Sequence, residues 1–263
     1  MTEHKKKKKS HHGKLIFFLT LLGISFEPGY PKDIPAIANT IIAIIMCIFL
    51  IALVFVVRKV TNKEKVFSSR LNLNKFQLSV LLILIGYSIF IYIENGNLPS
   101  LIDLFHQPSN IIISCTFVSL GAGFFEDYFV RGYLFNATQR ILNRYNITQY
   151  RMTIIAVITS FIFGLIHFTN LPAENSSAVF QQVFYAFCLG IVFCVFRVIT
   201  NRIWPAAIMH FIFDYSLSII QDMTSNSWLE IISIFSVALA IGLVLLISLD
   251  RSIEKNNIQE INP

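Results

Sequence analysis

The sequence predicts an all-α polytopic membrane protein with about eight transmembrane helices, and three observations carry that prediction. Of 263 residues, 55% are hydrophobic and only 14% charged, a balance outside the range of ordinary soluble domains. The apolar residues come in separate runs, several of which reach the roughly 17–25 residues that a helix needs to cross a bilayer. The basic residues gather between alternate runs, as membrane topology signals do. Because lipid offers the backbone no hydrogen-bond partner, each run should be helical.

The chain opens with a basic arm, residues 1–14, MTEHKKKKKSHHGK, suited to anionic lipid headgroups. The apolar stretch Leu15–Phe26 that follows has the look of a signal peptide, but no small-residue cleavage pattern succeeds it. A retained, short or tilted helix over 15–30 fits better; Pro28 and Pro31 limit its extension, so seven spans with a re-entrant first segment is the alternative. Further spans are expected at 34–57, 76–93, 111–132, 152–170, 178–198, 204–221 and 229–249. No linker between 76 and 250 is long enough to separate a second folded module. The organisation is therefore N-terminal membrane helices over 15–110, a polar-residue-bearing core over 111–222, a final helix at 229–249 and a tail from 250 to 263.

An eight-span ladder with the N-terminus inside puts Lys5 to Lys9, Lys14, Arg58 to Lys75, Arg131 to Arg151, Arg197, Arg202, Arg251 and Lys255 on one side and only Lys32 on the other. That bias predicts that both termini are cytoplasmic, with a bacterial plasma membrane as the expected location. The outer loops carry Glu27, Asp33, Glu94, Asp103, Glu174, Asp222 and Glu230. Trp204 and Trp228 fall at opposite expected interfaces. The net charge of +6 thus marks topology and not a nucleic-acid partner. Cys47, Cys115, Cys188 and Cys194 lie inside apolar runs without a CxxC pair and read as small buried hydrophobes.

Polar residues inside the spans carry the chemistry. The stretch AGFFEDYFVRGYL places Glu126, Asp127 and Arg131 in an otherwise apolar helix. Ionised groups there must find partners or a hydrated, protein-lined site. Asp127 and Arg131, four residues apart, share a face and suit an ion pair. Glu126 points about 100° away and stays available for another role. FGLIH sets Phe163 four residues before His167, and HFIFD sets His210 four before Asp214. These are the two histidines deep in expected spans. A carboxylate beside a neutral imidazole can take a proton from water attacking an amide carbonyl. A second imidazole, aimed by an acid, can stabilise the oxyanion. Phe163 reads as packing beside His167. Zinc is the second choice, with Glu126, His167 and His210 as ligands; no HExxH pair or cysteine ligand motif supports it, and no cofactor is preferred.

Taken together, E126-D-Y-F-V-R131, F163-G-L-I-H167 and H210-F-I-F-D214, with W204-P-A-A-I-M before the last, resemble the CPBP family of membrane endopeptidases, also called the CAAX protease and bacteriocin-processing, or Abi, family. The resemblance covers about 90 residues in the family's order. It implies an all-helical membrane core open toward the cytoplasm. It further implies Glu126 as the acid that activates water with His167 assisting, Asp127 and Arg131 arranging the site, and His210 with Asp214 stabilising the oxyanion. The family's older name retains the term metalloprotease. Two departures stand out: Asp127 occupies the place of the commonest second Glu, and Asp214 that of Asn. An ionised Asp cannot donate to an oxyanion, so Asp214 is expected to orient His210.

The expected function is hydrolysis of a peptide bond in a membrane-associated protein or peptide, lipidated or not, near the cytoplasmic side. A non-catalytic bacteriocin-immunity or membrane interaction protein is the alternative, and a proton-coupled transporter a lower one. Membrane lipids are the other expected partners. One geometric obstacle is visible: helices starting at Arg151 and Arg202 put His167 about 24 Å and His210 about 12 Å along their axes. Tilt, a sunken start near Ile147 or a broken helix must bring them together.

Overall fold

The computed structural model describes residues 35–61, 64–172, 174–256, 258, 260 and 261. The first expected run, 15–30, and the basic arm lie outside them. The chain forms α1 (Ala36–Thr61), α2 (Lys75–Glu94), α3 (Asn97–Leu104), α4 (Ser109–Asp127), α5 (Phe135–Arg144), α6 (Arg151–Ile166), α7 (Ser176–Thr200), α8 (Trp204–Asp214) and α9 (Trp228–Lys255). A π-helical turn, Tyr128–Leu134, joins α4 to α5 without a break, and 3₁₀ turns follow α6 at His167–Asn170 and α8 at Leu217–Ile220. No strand occurs among the described residues.

Among the described residues, six stretches are long and apolar enough to cross a membrane: Ala36–Lys59, Lys75–Glu94, Ser109–Arg144, Arg151–Asn170, Ser176–Thr200 and Trp228–Lys255. The protein is a multi-pass membrane protein. Ile37, Ile41, Ile45 and Ile48 on α1 and Leu82, Ile83, Ile89 and Phe90 on α2 are exposed, which a lipid surround accommodates and water would not. The centre is α7, where Cys188, Ile191, Cys194, Val195 and Val198 are fully buried between α6, α8 and α9.

The expected span over 204–221 takes a different form. Its helix stops at Asp214, after 11 residues. The carbonyls that a continuing helix would use are instead taken by side chains: Asn97 Nδ2 donates to the Phe213 oxygen at 2.7 Å and Ser119 Oγ to the Asp214 oxygen at 3.1 Å. Those bonds replace the next helical turn. The span expected at 111–132 is by contrast longer, running through the π turn to Arg144.

At the basic end, Asn201 in a left-handed conformation closes the turn between α7 and α8. Its side-chain oxygen accepts from the Val66 and Phe67 amides at 2.7 and 3.0 Å. The tail reaches the same face: Ile261 N donates to the Val66 oxygen at 2.8 Å, and Glu260 pairs with Arg151 at 3.0 Å. Helix α6 starts at Arg151 and not near Ile147. Buried Asp250 of α9 accepts from the Met152 and Thr153 amides, both at 2.9 Å, satisfying donors that water would otherwise meet.

Candidate active site

Helices α4 and α8 run antiparallel and close together because Gly123 has no side chain: a Cβ there would stand 2.8 Å from the Phe211 amide nitrogen. This contact delivers His210 to the acidic pair at the end of α4. Its Nδ1 lies 2.9 Å from Asp127 Oδ2, and its Nε2 lies 3.5 Å from Glu126 Oε2 and 3.3 Å from Asp214 Oδ2. The roughly 100° between consecutive helical residues lets Glu126 and Asp127 meet opposite edges of one imidazole. A carboxylate only accepts, so Nδ1 is the donor to Asp127. The Glu126 contact is too long for a hydrogen bond. Its Oε2 has no hydrogen-bond partner among the described residues.

Asp127 serves two cations, for its other oxygen lies 3.1 Å from Arg131 Nε. Both side chains of that pair are fully buried, as expected from their four-residue spacing. The guanidinium sits 4.3 Å from the Phe163 ring centroid and 5.1 Å from that of Phe193, so two aromatic faces supplement a single carboxylate. Gly190 makes room for it: a Cβ there would meet Ser160 Cβ at 2.7 Å and Arg131 Nη2 at 3.2 Å.

His167 is placed by its own helix. Its Nδ1 lies 2.9 Å from the Phe163 carbonyl oxygen; since a carbonyl only accepts, Nδ1 carries a proton, and in the neutral ring Nε2 then keeps its lone pair. This turns the ring back toward the start of α6, the direction in which helical side chains lean. The ring of Phe163 stands edge-on to both imidazoles, 4.9 Å from His167 and 5.6 Å from His210. His167 and His210, which lie at different distances along their helices, nonetheless share one aromatic ring and one cavity wall. Phe163 packs beside His167, as its spacing suggested, and additionally walls off His210 and Arg131.

Glu126, Phe163, His167, His210 and Asp214 line one cavity of about 500 Å³. Asp127 and Arg131 stand behind its wall. The rim is formed by Asn95 to Asn97, Asn170, Glu174 and residues 218–224. Gln181 straps this rim, its Nε2 donating to the Asn226 oxygen at 2.7 Å and its Oε1 accepting from the Asn226 amide at 2.9 Å. Glu174 accepts from the Met223 amide at 3.0 Å. Phe193, stacked on His210 at 5.0 Å, Gly190 and Gln181 belong to the site and were not singled out by sequence reasoning. Only polar Gln181 in the apolar run of α7 offered a signal there. Among the described residues, no group of three or more His, Cys, Asp or Glu is arranged to hold a metal ion, so the zinc alternative finds no ligand set of that size.

Comparison with known proteins agrees with the region the motifs delimit. Residues 108–216, which carry all seven of the site residues named from sequence, match the family model described as type II CAAX prenyl endopeptidase Rce1-like. Neither the curated proteins nor the solved structures gave a match.

Proposed function

With residues 108–216 Rce1-like, we propose that the protein is an intramembrane endopeptidase that hydrolyses a peptide bond in a membrane-associated protein or peptide by a glutamate-activated water. The observation that carries this reading is the buried cluster in which His210 stands between Asp127 on one nitrogen and Glu126 and Asp214 on the other, at the wall of a cavity shared with His167.

In this mechanism water sits between Glu126 and the scissile carbonyl. Glu126 accepts its proton as the oxygen attacks, and His167 accepts a hydrogen bond from the same water through its free Nε2. The developing oxyanion is met by Nε2–H of His210. With Nδ1–H held by Asp127, that ring carries two protons, and the three carboxylates around it balance its charge. Preorganised in a protein-lined cavity, such a donor is worth far more than in water. When the C–N bond breaks, the proton on Glu126 passes to the leaving nitrogen, restoring the carboxylate. Asp127 and Arg131 position the imidazole and touch no reacting atom. Both termini are cytoplasmic in this reading, supported by the basic bias of the loops.

Glu126→Gln keeps the side-chain volume and removes the base. Membranes holding the native chain should yield new peptide termini by mass spectrometry that membranes holding Glu126→Gln lack. Equal sets of termini, or full biological activity of a folded Glu126→Gln chain, would reject the proposal in favour of a binding or immunity role.

A further inference from the structure

In the reaction proposed above, a single N–H meets the developing oxyanion. His210 Nδ1–H is held by Asp127 at 2.9 Å, and its Nε2–H stands 3.3 Å from Asp214 and 3.5 Å from Glu126, two carboxylates that compete for it. The Nδ1 proton of His167 is taken by the Phe163 carbonyl, and ionised Glu126 and Asp214 have no hydrogen to give. A second, neutral donor at the reacting oxygen would strengthen the site. Helix α7 supplies one. Gln181, Gln182, Tyr185, Leu189 and Phe193 line the cavity, recurring at the three- and four-residue spacing of one helix face. Both glutamines are engaged by neighbours, Gln181 with the Asn226 backbone and Gln182 Oε1 with Asn170 Nδ2 at 2.8 Å. Phe193 stacks on His210. Tyr185 stands between the glutamines and Phe193.

The ring of Tyr185 is fixed: it stacks on Phe235 with centroids 5.3 Å apart and packs against the cluster of Phe129, Val130, Phe163 and Ala186. Its hydroxyl makes no hydrogen bond among the described residues. The charge of Asp214 acts on that hydroxyl, and the same carboxylate faces His210 Nε2. Gly164 brings the other imidazole near, for a Cβ there would stand 2.6 Å from the Val183 carbonyl oxygen. The end of α6 that carries His167 therefore lies against the turn of α7 that carries Tyr185. A phenol in apolar packing loses free energy unless its O–H finds a partner, and the ring contacts would be served as well by Phe. We infer that Tyr185 is a further catalytic residue: its O–H donates to the scissile carbonyl oxygen beside Nε2–H of His210, in a hydrogen bond that strengthens as the oxygen gains charge. No proton leaves the phenol and no covalent bond forms to it. The inference rests on the endopeptidase reading.

Tyr185→Phe keeps the ring and its stacking on Phe235 and removes only the O–H. The probe is an internally quenched peptide spanning the bond mapped from the termini that the native chain produces. On it kcat should fall about 10²–10³-fold, the usual loss when one oxyanion donor is removed, with KM and the melting temperature in detergent unchanged. A native kcat in Tyr185→Phe, or a raised KM at native kcat, overturns the inference. Should Tyr185→Phe fail to accumulate, Tyr185→3-fluorotyrosine keeps the O–H and makes it more acidic. Activity should then persist at neutral pH and be lost on the alkaline side at a lower pH than in the native chain; an unmoved profile overturns the inference as well. If Glu126→Gln forms the native termini, the endopeptidase reading falls. If Glu126→Gln loses them and Tyr185→Phe forms them at the native rate, that reading stands and this inference alone falls.

Discussion

His210 is the residue on which the site turns, because it draws carboxylates from two helices to one ring. Buried charges persist only when paired, and removing one partner of such a pair costs about 3–5 kcal/mol because the other is stranded. Asp127→Asn, which strands the buried Arg131 and removes the charge held at His210 Nδ1, should therefore lower the melting temperature in detergent markedly. Glu126 differs, since its Oε2 lies 3.5 Å from His210 and has no hydrogen-bond partner among the described residues. Glu126→Gln should melt close to the native chain while losing about 10²–10⁴ in the rate of cleavage, the usual worth of a general base. A large stability loss from Glu126→Gln, or none from Asp127→Asn, would reverse these roles. From the sequence, the Asp127–Arg131 pair was legible by its spacing. The second duty of Asp127, holding His210 Nδ1 across 83 positions of chain, was not, because no local pattern encodes it.

Helices reach their working positions through close approaches and end contacts that side-chain hydropathy does not announce. Gly123 is such a case at the site: the Cβ of alanine would stand 2.8 Å from a backbone nitrogen of α8, and backbone cannot swing aside as a flexible side chain does. Gly123→Ala should push α8 from α4 and carry His210 with it. Overpacking of this kind costs about 1–3 kcal/mol, and the cleavage rate should fall further than the stability, read by comparing turnover and melting on one preparation. At the other end, Asp250→Ala removes the carboxylate that accepts from the first amides of α6. Loss of a helix cap costs about 0.5–2 kcal/mol, and amide exchange should rise at Met152 and Thr153 before it rises in α7. The spans at 34–57, 76–93, 152–170, 178–198 and 229–249 were legible because apolar length is a local property. The early stop of α8 was not, since its terminal carbonyls are taken by Asn97 and Ser119, which hydropathy cannot connect to residue 214.

Across the whole molecule, charge is sorted from end to end, and the cavity sits at the acidic end. Four acids and no Lys or Arg line it, so its field disfavours a second carboxylate near Glu126. Peptides of one sequence with a C-terminal amide should be cleaved faster than the free acid when the scissile bond is near the terminus, and equally when it is far; a preference for the acid would instead mean that the protonated ring of His210 outweighs the four acids.

By itself the sequence determined the membrane class, the ends that carry positive charge and the seven side chains of the candidate site, because each follows from apolar length, loop composition or spacing within one helix. The tertiary structure alone decided that Asp127 holds His210, that Gly123 and Gly190 admit the close contacts, and that Glu126, His167 and His210 line one cavity. Those outcomes depend on which helix faces which and at what depth. That is settled by packing between residues far apart in the chain, where no local pattern reaches.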